Sequence, residues 1–76
     1  MNQIKVSLDI IENISKFVNA TSNVKEDIFV RSNACEANGK SIMGIYSLNL
    51  SKPITVRIDA KEFPKSFLNS IKDIII

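Results

Sequence analysis

Histidine and tryptophan are absent from this chain, and cysteine occurs once, as Cys35. Without an imidazole there is no histidine nucleophile, no Ser–His or Cys–His catalytic pair and no histidine metal ligand. A single thiol excludes an internal disulfide and a cysteine-rich zinc site, so no metal and no cofactor is expected. Glycine and proline occur twice each, and the lone Gly39 and Gly44 do not make a phosphate-cradling loop. No apolar run approaches the roughly 20 residues needed to span a bilayer; none is longer than Ile74-Ile75-Ile76. Met1 to Leu8 alternates apolar and polar residues, unlike the continuous apolar stretch of a secretion signal. A reduced, cytoplasmic protein is expected. Charge of one sign is also missing: ten Lys and Arg against eight Asp and Glu leave a net +2. That balance is too small to argue for nucleic acid, and the cations are scattered along the chain without a cluster of three. Neither a nucleic-acid partner nor membrane insertion is expected.

What is present suits one compact domain over residues 1–76. A chain of this size buries only about 60% of the surface its unfolded form exposes, so its stability rests on one continuous apolar layer rather than on walls around a deep cleft. Ile4, Val6 and Leu8 alternate with polar residues, the period of a half-buried strand. Asp9-Ile10-Ile11-Glu12 fits a capping box, with Asp9 as N-cap and Glu12 returning to it. Ile10, Ile14, Phe17, Val18 and Thr21 then follow helical spacing, widened by Ile11, which predicts a helix to about Ser22 or Asn23. Ile28-Phe29-Val30 reads as a strand, and Asn33 to Asn38 as a weaker one closed by the Asn38-Gly39 turn.

Ser41 is placed to cap a short helix holding Ile42, Met43, Ile45, Tyr46 and Leu48, with Asn49 closing it in the left-handed conformation. Ile54, Val56 and Ile58 resume strict alternation. Pro64 opens a last helix whose stripe is Phe63, Phe67, Ile71, Ile74 and Ile75, with Leu68 beside it. Both long helices have one apolar face, so they should share one side of the sheet.

One stretch goes beyond pattern. Lys40-Ser41-Ile42-Met43-Gly44-Ile45-Tyr46-Ser47-Leu48 is similar to the signature of the HPr family, the small phosphocarrier proteins of the bacterial sugar phosphotransferase system. Only Tyr46, where the family often has methionine, departs from it. The element order resembles the family along nearly the whole chain. The resemblance implies an α+β fold: an HPr-like open-faced sandwich, βαββαβα, with a four-stranded antiparallel sheet and its helices on one face.

The resemblance also implies what is lacking. HPr proteins carry a histidine at the start of the first helix and usually an arginine two residues later. An ungapped count back from the signature puts those positions on Ile10 and Glu12, and no slip of register recovers a histidine. Carrier chemistry needs a nucleophile partly deprotonated near neutral pH and cationic or dipolar groups to hold the anion. Ile10 and Ile11 supply no nucleophile, and Asp9 and Glu12 place two carboxylates where the phosphoryl group would arrive. Cys35 reads as a small filler in a strand, and Asp59, Lys61 and Glu62 as a solvated strand end. The chain is expected not to be an enzyme.

In the family, the serine matching Ser41 is a regulatory phosphorylation site of an HPr-type kinase, and the short helix is a docking surface. By resemblance, Ser41 is the regulatory residue here. Lys40, Ile42, Met43 and Tyr46 are the partner-binding residues, and Ser41 doubles as an N-cap whatever else it does. Protein partners are expected, such as that kinase or a transcriptional regulator, by analogy with the catabolite-repression HPr-like proteins that lack the histidine and keep the serine. The chain itself is expected to be a monomer or weak homodimer. Two rival readings remain at this point. One is a diverged domain of the same fold with an unrelated protein-binding or structural role. The other is a small RNA-binding domain, opposed by the lack of a basic stripe or exposed strand aromatics.

Overall fold

The computed structural model describes residues 2–76, so Met1 of the first alternating stretch lies outside it. The chain runs β1 (Gln3–Val6), α1 (Ile11–Thr21), β2 (Ile28–Ser32), β3 (Cys35–Asn38), α2 (Ile42–Tyr46), β4 (Ile54–Ile58) and α3 (Lys65–Ser70). The four strands form one antiparallel sheet in the order β1-β4-β2-β3. Period-two alternation puts Ile4, Val6, Ile28, Val30, Ile54, Val56 and Ile58 on the inner face, where all are buried. The register stacks Val56 between Ile4 and Val30, so the apolar row is continuous across three strands.

Ile14, Phe17 and Ala20 of α1, Ile45 of α2 and Phe67 of α3 complete the core from the helical layer. Phe67 is its hinge of contact: Phe17 meets it edge-on at 6.2 Å and Phe63 stacks on it at 5.4 Å. The outer face bears Gln3, Lys5, Arg31 and Arg57 in solvent, with Phe29 and Thr55 half-buried. This is the α+β open-faced sandwich expected above, with its helices on one side.

Six local expectations are corrected. Asp9 does not cap α1: its carboxylate accepts from the Ser7 hydroxyl at 3.0 Å, and Ile10 becomes the N-cap with no side-chain hydrogen bond. Ile10 is extended (φ −129°, ψ 153°), so helical spacing does not apply to it, and it and Ile11 are exposed rather than part of the buried stripe. The helix ends at Thr21, one or two residues early. Asn49 does not close α2; Ser47 does, while the Asn49 amide oxygen accepts from the Ser51 N–H and hydroxyl.

The long stripe of the last helix is split. After Ser70 the chain turns, and Ile75 pairs with Val6 on the edge of β1, with Ser7 N–H donating to Ile74 and Ile76 N–H to Lys5. A free strand edge presents unpaired backbone groups, and here it takes up residues that further helix would have used. Finally, Cys35 lies in β3 as expected but is exposed, not a filler.

Candidate docking surface on the helical layer

Two regions come from the sequence: the start of α1 at Ile10, and α2 with Ser41. At the first, the Ile10 carbonyl accepts from the Asn13 and Ile14 N–H groups and so starts the helix, while the Asn13 side chain donates to the Ser7 carbonyl. No side chain caps the first turn, and its acidic residue is Glu12. Ile10 is 51% and Ile11 69% exposed. This end holds no imidazole: its side chains are aliphatic (Ile10, Ile11), carboxylate (Asp9, Glu12) and amide (Asn13), with the Ser7 hydroxyl engaged by Asp9.

The second region is held by backbone geometry. Ser41 has an extended backbone and its hydroxyl oxygen accepts from the Gly44 N–H at 3.1 Å, the N-cap bond expected from sequence. The preceding turn is fixed three times over: Asn38 accepts from Lys40 N–H through its side chain and from Ser41 N–H through its carbonyl, and Gly39 N–H donates to Ile28. Gly39 is required by space, since a Cβ there would lie 2.6 Å from the Ile28 side chain. The buried Thr21 hydroxyl donates to the Gly39 carbonyl at 2.9 Å, and the Lys40 ammonium to the Val24 carbonyl. The end of α1 therefore grips the start of α2. Lys40 is committed to that grip and is half-buried rather than a free cation beside Ser41.

On α2 itself, Ile45 and, just after it, Leu48 go into the core, leaving Ile42 at 40%, Met43 at 77% and Tyr46 at 48% exposure. Ser41 is half-exposed. Three large apolar side chains thus project from a five-residue helix. Gly39 and Lys40 bond to Thr21 and Val24, so Ser41 lies toward the C-terminal end of α1, and Ile10 stands at its start. The register also reveals what linear spacing hid: Lys5, Arg31 and Arg57 surround Thr55 on the outer sheet face, and Arg57 sits over the Phe29 ring at 4.5 Å. Cross-strand neighbourhood could be read only with the strand order in hand. Carboxylates Glu36, Asp27 and Asp59 border the same face.

The open-faced sandwich thus carries an apolar, solvent-facing short helix behind a capped serine. The sequence matches the family described as the PTS HPr component phosphorylation site over residues 12–75, and the chain belongs to that family, whose members are phosphocarriers that act with protein partners of the phosphotransferase system. The matched span begins two residues past Ile10. Among solved structures, the chain is similar to HPr-C-His from Thermoanaerobacter tengcongensis, with 21% identity over 96% of this chain and 89% of that one, and a TM-score of 0.73. It is also similar to a phosphocarrier protein HPr from Bacillus anthracis str. Ames, with 24% identity over 95% and 92% of the two chains and a TM-score of 0.68. At these identities the likeness carries the fold. Among curated proteins nothing matches. No helix of the described residues is long and apolar enough to cross a membrane.

Proposed function

We propose that this HPr-family chain is a non-phosphotransferring binding and regulatory protein, switched by phosphorylation of Ser41. One observation carries the reading: α2 exposes Ile42, Met43 and Tyr46 while Ile45 and Leu48 alone fill its buried side. Exposed methionine and tyrosine adapt to a partner's shape at modest entropic cost, and Lys40 fixes the turn that presents them. The absence of any histidine in the chain removes the histidyl phosphate that carriage of a phosphoryl group requires.

Phosphate on Ser41 would place up to two negative charges beside this apolar set and change which partner it accepts. The partner is a protein of the cytoplasm, either an HPr-type kinase acting on Ser41 or a transcriptional regulator docking on α2. Incubation with HPr kinase and ATP, followed by intact-mass measurement, tests the switch. One added phosphoryl group, lost in Ser41→Asn, is the expected result. An unchanged mass at any kinase concentration would leave a diverged domain with an unrelated binding role. Phosphoenolpyruvate and the first enzyme of the system should leave the chain unlabelled while labelling an ordinary HPr.

A further inference from the structure

The two edges of the sheet are finished differently. Beside β1 the chain folds back: Ile75 bridges to Val6, the Ser7 N–H donates to the Ile74 carbonyl and the Ile76 N–H to the Lys5 carbonyl. The opposite edge is β3, and no strand or bridge among the described residues lies on its outer side. Its free groups follow from register. The Gly39 N–H donates to the Ile28 carbonyl, and antiparallel pairs exchange hydrogen bonds at every second residue. Ala37 and Cys35 therefore bond to Val30 and Ser32, while the backbone groups of Glu36 and Asn38 point away from the sheet.

The Asn38 carbonyl accepts from the Ser41 N–H and keeps one lone pair. The Glu36 N–H and carbonyl and the Asn38 N–H have no partner among the described residues. An edge of this kind recruits another strand unless lysine, proline or a bulge blunts it. β3 reads Cys-Glu-Ala-Asn in unbroken register and carries none of the three.

We infer that β3 pairs antiparallel with the β3 of a second copy of this chain, about a two-fold axis at Ala37, joining the two four-stranded sheets edge to edge. Two centres, Glu36 and Ala37, would use the free backbone groups of both Glu36 and Asn38. Centring on Glu36 sets two carboxylates directly opposite each other, which is unfavourable. Centring on Ala37 sets Glu36 opposite the second copy's Asn38, and symmetry repeats the pair. Asn38 suits this role, because its Oδ1 already accepts the Lys40 N–H and its amide N–H groups are left to donate to a carboxylate. Glu36 is only loosely held, 3.9 Å from Arg57. The same axis puts the exposed Cys35 across from Gly39, which has no side chain to obstruct it. A four-residue strand buries far less than the roughly 1,200–2,000 Å² of a stable interface, so the dimer is transient. The pairing uses no side chain of α2 and stands or falls separately from the regulatory reading of Ser41.

The test is a dilution series of the ¹⁵N-labelled full chain, from millimolar to tens of micromolar. Concentration-dependent shifts confined to Cys35–Asn38 and Gly39, largest at the Glu36 and Asn38 amides, are expected. Register is read by mixing ¹⁵N-labelled Cys35→Ser chain with unlabelled chain carrying a nitroxide on Cys35. Relaxation enhancement should peak at Gly39 of the labelled copy and fall off toward position 35. Glu36→Lys, at an exposed position, should keep the native spectrum and weaken self-association about tenfold. Glu36→Pro removes only an outward N–H and should abolish it. Overturning results are the absence of any concentration dependence, shifts confined to Met43 and Tyr46 or to Ile75 and Ile76, an enhancement centred on residues 35–37, or a Glu36→Lys chain that associates as well as the parent.

Discussion

Replacing Ser41 with alanine removes one atom, and the structure says what that atom does. The hydroxyl oxygen accepts the Gly44 N–H at 3.1 Å in a half-buried setting, and the Ile45 N–H already uses the Ser41 carbonyl. Alanine leaves the Gly44 donor without its acceptor at the start of a helix with only five residues to share the loss. Loss of an N-cap costs about 1 kcal/mol, which for a domain of this size lowers the melting temperature by about 4–8 °C.

The effect should be local as well as global. Exchange of the Gly44 amide should accelerate about fivefold, the factor that corresponds to 1 kcal/mol, while amides of β4 should change only as much as global stability does. Ser41→Asn and Ser41→Asp keep an acceptor at the cap and should lie within a few tenths of a kcal/mol of the parent. Urea denaturation with amide exchange measures both. If alanine and asparagine prove equally stable, the cap reasoning fails. If it holds, Ser41→Asn is the sound non-phosphorylatable control, because alanine alters the docking helix as well as removing the hydroxyl.

Thr21→Val keeps shape but leaves the buried Gly39 carbonyl without the Thr21 hydroxyl, so urea denaturation should show a loss of about 1–3 kcal/mol; a loss under about 0.5 kcal/mol would refute it. Gly39→Ala drives a Cβ into the buried Ile28 side chain and should cost about 1–3 kcal/mol by the same assay, through crowding alone since its φ is not positive. The Lys16 ammonium, hydrogen-bonded to Asp73, holds that carboxyl below its ordinary 3.8. A depressed carboxyl adds stability that is present above 3.8 and lost as pH falls through the lowered value, and a carboxyl-detected NMR titration should show the Asp73 value rising in Lys16→Met. Ile10→His should accept phosphoryl groups from phosphoenolpyruvate and the first enzyme only slowly, because Glu12 stabilises the imidazolium over the nucleophilic imidazole; Ile10→His with Glu12→Arg should label faster, read by acid-labile incorporation.

Much of the fold was legible because its signals are periodic. Ile54, Val56 and Ile58 could face the core only as a strand, and Phe17 with Phe67 follow from helical spacing on two faces that had to meet. Ser41 was legible as a cap for the same local reason. The failures share a cause, which is competition from partners distant in sequence or outside the local template. Asp9 looked like a cap but found the Ser7 hydroxyl. Ile74 and Ile75 continued a helical stripe, yet the edge of β1 claimed their backbone. Lys40 read as a partner-binding residue, and its ammonium is spent on the Val24 carbonyl. Lys5, Arg31 and Arg57 looked scattered because nothing local reveals that β4 lies between β1 and β2.

The same distinction decides which residue can prove the docking role. Ser41 cannot do so alone, because the fold keeps it as a cap whether or not anything phosphorylates it. Ile10 cannot either: it is half in solvent and outside the core, so the fold places little constraint on its identity. Met43 is different. It is 77% exposed and makes no hydrogen bond that the cap or core depends on, so its replacement by lysine should alter stability by no more than about 0.5 kcal/mol. A residue on which folding does not depend reports on recognition without confusion. Met43→Lys should therefore leave the urea midpoint unmoved while weakening the interaction of α2 with its kinase or regulator, and a variant that binds as well as the parent would remove α2 from the interface.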